Sequence, residues 1–251
     1  MEPKLDFTDK VVMITGASRG LGRAMTEGFA KGGAAIAAIA RKQDGLDELA
    51  RELDAQGTEV FTHSANVGDW DAGAEAIEAV KARFGRIDVL VNNAGASPVL
   101  GKLTDLDEAG FDKIFDVNVK SVWRLSTLAA EMMVEAGGGA IVNISSTAAA
   151  LASAPVAPYA AAKGAVNVMT KALARAYGPT VRVNGVMYGA FRTDLTKSFI
   201  DHPAFLKRLQ ATSPAGRPGE PDEAAGAVLY LASGLASHTS GAIVTVDGGE
   251  S

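Results

Sequence analysis

Short runs of apolar, largely β-branched residues recur at 11–15, 35–40, 60–64, 89–92, 140–144, 181–187 and 243–246. Each is apolar at consecutive positions and bounded by Gly, Asn, Asp or Ser, the pattern of strands buried on both faces of a parallel sheet. Between them, segments of helical pattern occupy 19–31, 45–56, 71–84, 106–136 and 157–177. This alternation predicts an α/β fold, a doubly wound seven-stranded parallel sheet forming a single domain over residues 1–251. From Tyr188 to about Ser240 no strand pattern occurs, and Pro203, Pro214, Pro218 and Pro221 punctuate the segment. Long excursions in compact domains usually carry function, so about 188–216 is expected to form a lid over a binding site.

Composition narrows the chemistry. With 47% hydrophobic and 21% charged residues the chain has material for a sizeable core, and a net charge of −5 gives no electrostatic reason to bind nucleic acid or an anionic membrane. The absence of cysteine excludes thiolate catalysis, disulfides and Cys-ligated metals. His63, His202 and His238 are far apart, without the spacing of metal ligands, so no metal is expected. The first ten residues lack a basic segment followed by an apolar one, and no apolar stretch is long enough to span a bilayer, so a cytoplasmic location is expected.

The first strand runs into Thr15-Gly16-Ala17-Ser18-Arg19-Gly20-Leu21-Gly22 and then an amphipathic helix. Glycines there allow a sharp turn and close approach of backbone to a pyrophosphate, and a helix N-terminus offers free N–H donors. A purely packing role for the glycines is the alternative. Further along, Tyr159 and Lys163 lie at i and i+4, on one face of a predicted helix, with only alanines between them. Delivering a proton to a developing alkoxide calls for a general acid, and a neighbouring cation is expected to draw the phenol below its usual value of about 10. Ser146 lies just past the 140–144 strand, at the strand ends where such folds bind ligands, and its hydroxyl suits a substrate oxygen. Ser145, one residue away, is the competing candidate.

Gly16, Gly20 and Gly22 form T-G-x-x-x-G-x-G, and with Tyr159-x-x-x-Lys163 the chain resembles the short-chain dehydrogenase/reductase family, whose fold is Rossmann-type. The resemblance runs through nearly the whole sequence. It implies a catalytic tetrad of Asn118, Ser146, Tyr159 and Lys163, with Asn118 holding a helix distortion and a water that connects to the lysine. It also implies a cofactor site built from Gly16, Ser18, Arg19, Gly20, Leu21, Gly22, Arg41, Asn66, Val67, Asn93, Ala94, Gly95, Tyr159, Lys163, Gly189 and Thr193. Asn92-Asn93-Ala94-Gly95 matches the family's sheet-supporting motif, and Thr193 its contact to the nicotinamide carboxamide. The ending at 240–249 matches a region that packs between subunits in relatives, implying a homotetramer.

For the cofactor, NAD-preferring relatives tend to place an aspartate where Ala40 stands; Arg41 instead offers a planar fork for a 2′-phosphate, and Arg19 is placed to approach it from the other side. NADP(H) is therefore expected over NAD(H). Two positions depart from the family: Asn66 replaces an aspartate facing the adenine, and Tyr188 replaces a proline. Asn66 still offers an acceptor, and Tyr188 is read either as a substrate contact or as packing against the lid. The pocket walls are expected at 97–100, 147–156, 187–191 and 195–209, mainly small and apolar, with Arg192 and Lys197 the nearby cations. Three functions stay open: an NADPH-dependent ketone or 3-oxoacyl reductase, an NAD-dependent alcohol or sugar dehydrogenase, and a catalytically silent nucleotide-sensing protein.

Overall fold

The structure is a computed structural model that describes residues 5–97, 100–152 and 154–251. Seven parallel strands lie in the order β3-β2-β1-β4-β5-β6-β7. They are β1 (Val11–Thr15), β2 (Ala35–Ala40), β3 (Val60–Ser64), β4 (Val89–Asn92), β5 (Gly139–Ser146), β6 (Val181–Tyr188) and β7 (Ile243–Val246). β5 and β6 run further than their apolar patterns: Ser145 pairs with Met187 and Ser146 with Tyr188 in the ladder. Backbone pairing, not side-chain polarity, ends these strands.

Alternation along β1 sorts the core into two layers. Val12 and Ile14 face α1 (Gly20–Lys31), α2 (Gln43–Asp54) and α9 (Pro221–Ala232), packing with Met25, Phe29, Leu46, Leu49, Leu53 and Val228. Val11 and Met13 face α3 (Trp70–Phe84), α5 (Ser121–Glu135) and α7 (Ala157–Tyr177), packing with Ile77, Val80, Leu125, Met133 and Leu173. The strand order reverses between β1 and β4, which opens a crevice at their C-terminal ends.

The single helix expected at 106–136 is interrupted. α4 (Glu108–Phe115) passes through a π-helical turn, Asp116–Lys120, before α5 begins. Asn118 Nδ2 ties the turn down, donating to Ile114 O in α4 and to Ala96 O after β4, both at 2.8 Å. The 188–240 stretch holds the α-helices α8 (Pro203–Thr212) and α9; a short α6 (Ala148–Leu151) lies earlier, after β5. Both α8 and α9 have proline in the first turn, where its missing N–H costs nothing. Among the described residues no helix is long and apolar enough to cross a membrane.

Candidate active site

At the β1–β4 crevice the backbone is cross-tied. Thr15 Oγ1 accepts from Asn93 N and Ala94 N at 3.0 Å each, and Asn93 Nδ2 donates to Thr15 O at 2.9 Å and Gly16 O at 3.3 Å. Gly16 and Gly20 hold φ of +67° and +56°, which only glycine adopts freely. Gly22 sits so close to the preceding turn that an added Cβ would overlap the Gly16 carbonyl oxygen and the Asn93 amide. α1 starts at Arg19 without a side-chain cap, so its first N–H groups remain available to an anion. A close-approach cradle and an uncapped helix N-terminus fit the pyrophosphate of a dinucleotide.

The remaining cofactor candidates surround this turn. Ser18 abuts Gly45 at the start of α2, Leu21 packs on the core, and Thr193 lies 3.6 Å from a Cβ placed on Gly20. Asn66 is exposed and accepts from Gly68 N, whereas Val67 is buried. Gly95 approaches both Asn118 and Lys163, and Gly189 lies against Asp247. Arg19 donates to Asp194 Oδ2 at 3.0 Å, tying the glycine turn to the segment after β6. Arg41 is exposed and has no ion-pair partner among the described residues.

Deeper in the crevice, Lys163 is 2% exposed and donates from Nζ to Ile144 O at 2.8 Å; Nζ lies 5.7 Å from the Tyr159 ring centre. Ser146 hydrogen-bonds the Tyr159 hydroxyl and also accepts from Ala148 N at 3.2 Å. Ser145 faces elsewhere: it is buried, and its Oγ donates to Lys163 O at 3.3 Å. The structure therefore brings Ser146, Tyr159 and Lys163 together. Asn118, fully buried, adjoins them through Gly95, and its Oδ1 has no hydrogen-bond partner among the described residues.

Electrostatics depart from expectation here. Burial pushes the Tyr159 phenol up to about 12, with the Ser146 hydrogen bond pulling it partly back. Burial also lowers Lys163 to about 8. The phenol is not drawn below 10, because desolvation outweighs an ammonium that is directed at the Ile144 carbonyl.

Tyr188 requires a correction. Its side chain is 4% exposed, stacks edge-on against Phe191 and donates its hydroxyl to Ala224 O in α9. It is a core residue on the α1–α9 side of the sheet, so the substrate-contact reading fails. Tyr188→Phe is expected to cost about 1 kcal/mol, a typical net value for one hydrogen bond, with substrate kinetics unchanged. Urea denaturation alongside steady-state assays checks both. Of the expected walls, residues 98, 99 and 153 lie outside the described residues. Thr15 and Asp194 contribute to the site without having been singled out; Thr15 belongs to the glycine motif itself and was legible there.

This geometry defines a dinucleotide-binding α/β enzyme with a phenol, an ammonium and a hydroxyl at the strand ends. A family model described as enoyl-(acyl carrier protein) reductase matches residues 16–251. The chain is similar to a 3α-hydroxysteroid dehydrogenase of Mediterraneibacter gnavus, with 38% identity over 96% of each chain. It is 36% identical to a 3-oxoacyl-(acyl-carrier-protein) reductase of Thermotoga maritima over 96% of this chain and 97% of that one. A solved gluconate 5-dehydrogenase from Burkholderia cenocepacia, in complex with NADP and tartrate, superposes with a TM-score of 0.93 at 34% identity, covering 98% of this chain and 96% of that one. The chain belongs to the short-chain dehydrogenase/reductase family, oxidoreductases that interconvert CH–OH and C=O groups with NAD(P).

Proposed function

We propose that the protein is an NADP(H)-dependent reductase of neutral ketones or 3-oxoacyl groups, acting in the cytoplasm as a homotetramer, with residues of about 188–216 forming the lid. The observation that carries the cofactor reading is Arg41: an exposed guanidinium without an ion-pair partner among the described residues, directly after Ala40, where an alanine stands in place of a carboxylate that would hold a ribose diol or repel a phosphate. Two solved gluconate 5-dehydrogenase structures similar to this chain contain NADP, which agrees with this choice. For the substrate, Arg192 is engaged by Asp201 and Glu220, and Lys197 lies 3.8 Å from Asp194. Arg192, Lys197 and Arg208, three of the four cations of the lid segment, thus already face carboxylates, which favours an uncharged substrate over a sugar acid. For the assembly, Trp123 and Val134 on α5 and Val168 on α7 present exposed apolar side chains on adjacent helices.

When bound, the nicotinamide supplies hydride for reduction or takes it in oxidation. The chain's own residues handle the oxygen. Ser146 hydrogen-bonds the carbonyl oxygen, and Tyr159 gives it a proton as negative charge develops. The Lys163 ammonium steadies the phenolate that is left, and Asn118, through the π-helical turn, borders the lysine. A phenol raised to about 12 is fully protonated at neutral pH, which suits the reductive direction.

The test is NADPH oxidation over a panel of cyclohexanone, ethyl acetoacetate (standing for 3-oxoacyl groups) and keto-sugar acids. Turnover of the first two is expected; turnover confined to the acids overturns the substrate reading. Arg41→Ala is expected to raise KM for NADPH about tenfold, the scale of one charge-assisted contact, and to leave KM for NADH unchanged. Equal effects on the two cofactors refute the NADP(H) assignment.

A further inference from the structure

Four elements beside the site, β4, α5, β5 and α7, share one buried polar chain. Asn92, the last residue of β4, donates from Nδ2 to Ser126 Oγ on α5 at 2.9 Å and to Asn143 Oδ1 on β5 at 2.8 Å. Asn143 Nδ2 donates in turn to Thr170 Oγ1 on α7 at 3.0 Å, and the Thr170 hydroxyl donates to Val166 O at 2.8 Å. Asn92 is 2% exposed, and Ser126, Asn143 and Thr170 are fully buried. All the bonds from Asn92 to Val166 point the same way, so each polarises the next.

The chain ends where the chemistry begins. Asn143 is followed on β5 by Ile144, whose carbonyl accepts from the Lys163 ammonium, then Ser145, whose hydroxyl donates to the Lys163 carbonyl, then Ser146, which meets Tyr159. Four successive β5 residues thus each fix a point on α7. Thr170 lies seven residues beyond Lys163 on that helix, two turns along the same face. The backbone of β6 leaves room for it: a Cβ on Gly185 would come 3.7 Å from Thr170 Oγ1 and 2.7 Å from Ile243 Cδ1. At its other end the chain holds α5, which continues directly from the π-helical turn of Asn118.

We propose that Asn143 and Thr170 are positioning residues for the reaction: their hydrogen bond sets the axial register of α7 against β5, and so the placement of Tyr159 and Lys163 relative to Ser146. Neither touches the reacting atoms. The inference rests on the reading that Tyr159 and Lys163 carry the chemistry. An apolar residue at 170 fills the same space and leaves the Asn143 amide without an acceptor in the interior. The helix then relieves that deficit by sliding or rotating, because a buried donor left unpaired is costly. Displacements well under one ångström matter here, since misplacing reacting groups by about 1 Å costs on the order of a hundredfold in rate.

The experiment compares Thr170→Val, Thr170→Ser and Leu173→Ala by melting temperature, NADPH affinity (fluorescence titration), and kcat and KM for ethyl acetoacetate. Leu173 is a buried apolar residue on α7 outside the polar chain and serves as the stability control. Thr170→Val is expected to lower kcat about tenfold with NADPH affinity within twofold, and Thr170→Ser to restore kcat to within about threefold. Leu173→Ala is expected to melt at least as early as Thr170→Val and keep its kcat. Wild-type kcat in Thr170→Val, or an equal loss in Leu173→Ala, overturns the proposal. If Thr170→Val does not fold, Thr170→Ala replaces it, since it too removes the acceptor of the Asn143 amide: lower kcat at unchanged NADPH affinity supports the register role, and unchanged kcat refutes it. Tyr159→Phe measured in parallel separates the two readings, since activity surviving in that variant defeats the underlying mechanism and not the register argument alone.

Discussion

Tyr159→Phe is expected to lower kcat for carbonyl reduction by about three orders of magnitude, within the range for loss of a general acid, while NADPH still binds. The substitution removes one oxygen and leaves the half-buried ring in place. The ring, the Lys163 contact and the glycine turn are untouched, so neither fold nor cofactor site has reason to change. Ser146 alone donates a hydrogen bond but has no route for losing its proton in the turnover. The same geometry sets the pH profile. Reduction requires Tyr159 protonated and Lys163 charged; with the phenol at about 12 and the amine at about 8, both conditions hold below pH 8. Reduction at saturating NADPH is therefore level through neutrality and falls above about pH 8 as the ammonium is lost. Oxidation requires the phenolate and rises with pH. Stopped-assay profiles in both directions, with NADPH titrations of the variant, check these outcomes. Turnover in Tyr159→Phe within tenfold of the parent defeats the mechanism.

The outline of this site was legible because its strands are apolar at consecutive positions and its motifs are contiguous. Val11–Thr15 runs from Lys10 to Gly16, Ala35–Ala40 ends at Arg41, and Val60–Ser64 starts after Glu59, so polar or glycine residues mark most of these boundaries. What failed to read from the chain depends on contacts between distant segments. The π-helical turn at Asp116–Lys120 has an ordinary helical pattern; the family resemblance alone pointed to a distortion at Asn118, and its bond to Ala96, 22 residues away, is not visible in the pattern. Tyr188 stands where a motif suggested the pocket, but the partner that decides its role, Ala224, lies 36 residues on. Asn143 and Thr170 are 27 residues apart and belong to no contiguous motif. The direction of the Tyr159 shift differs from the expectation for a related reason. Sequence shows that a lysine is near, but not that burial outweighs it or that its ammonium has a carbonyl of its own.

The second large effect is expected at Gly22. An alanine there places its methyl carbon onto the Gly16 carbonyl oxygen and the Asn93 amide nitrogen, with the Gly16 carbonyl carbon at 2.9 Å. Two of these three atoms are backbone, and Gly16 is itself pinned by its N–H to Ile39 O at 2.7 Å. The strain has no flexible side chain to absorb it. Either the turn opens or α1 withdraws, and each breaks the Asn93 bonds that join β1 to β4. Overpacking of this kind costs about 1–3 kcal/mol, so the melting midpoint is expected to fall by roughly 3–10 °C for a domain of this size. NADPH affinity is expected to fall further than stability, by about a hundredfold, because the N–H groups that receive the phosphates move away from each other. Calorimetry and fluorescence titration separate the two effects. Should Gly22→Ala bind NADPH within threefold of the parent, the turn is not the phosphate cradle, and the glycines would be packing strand against helix and nothing more.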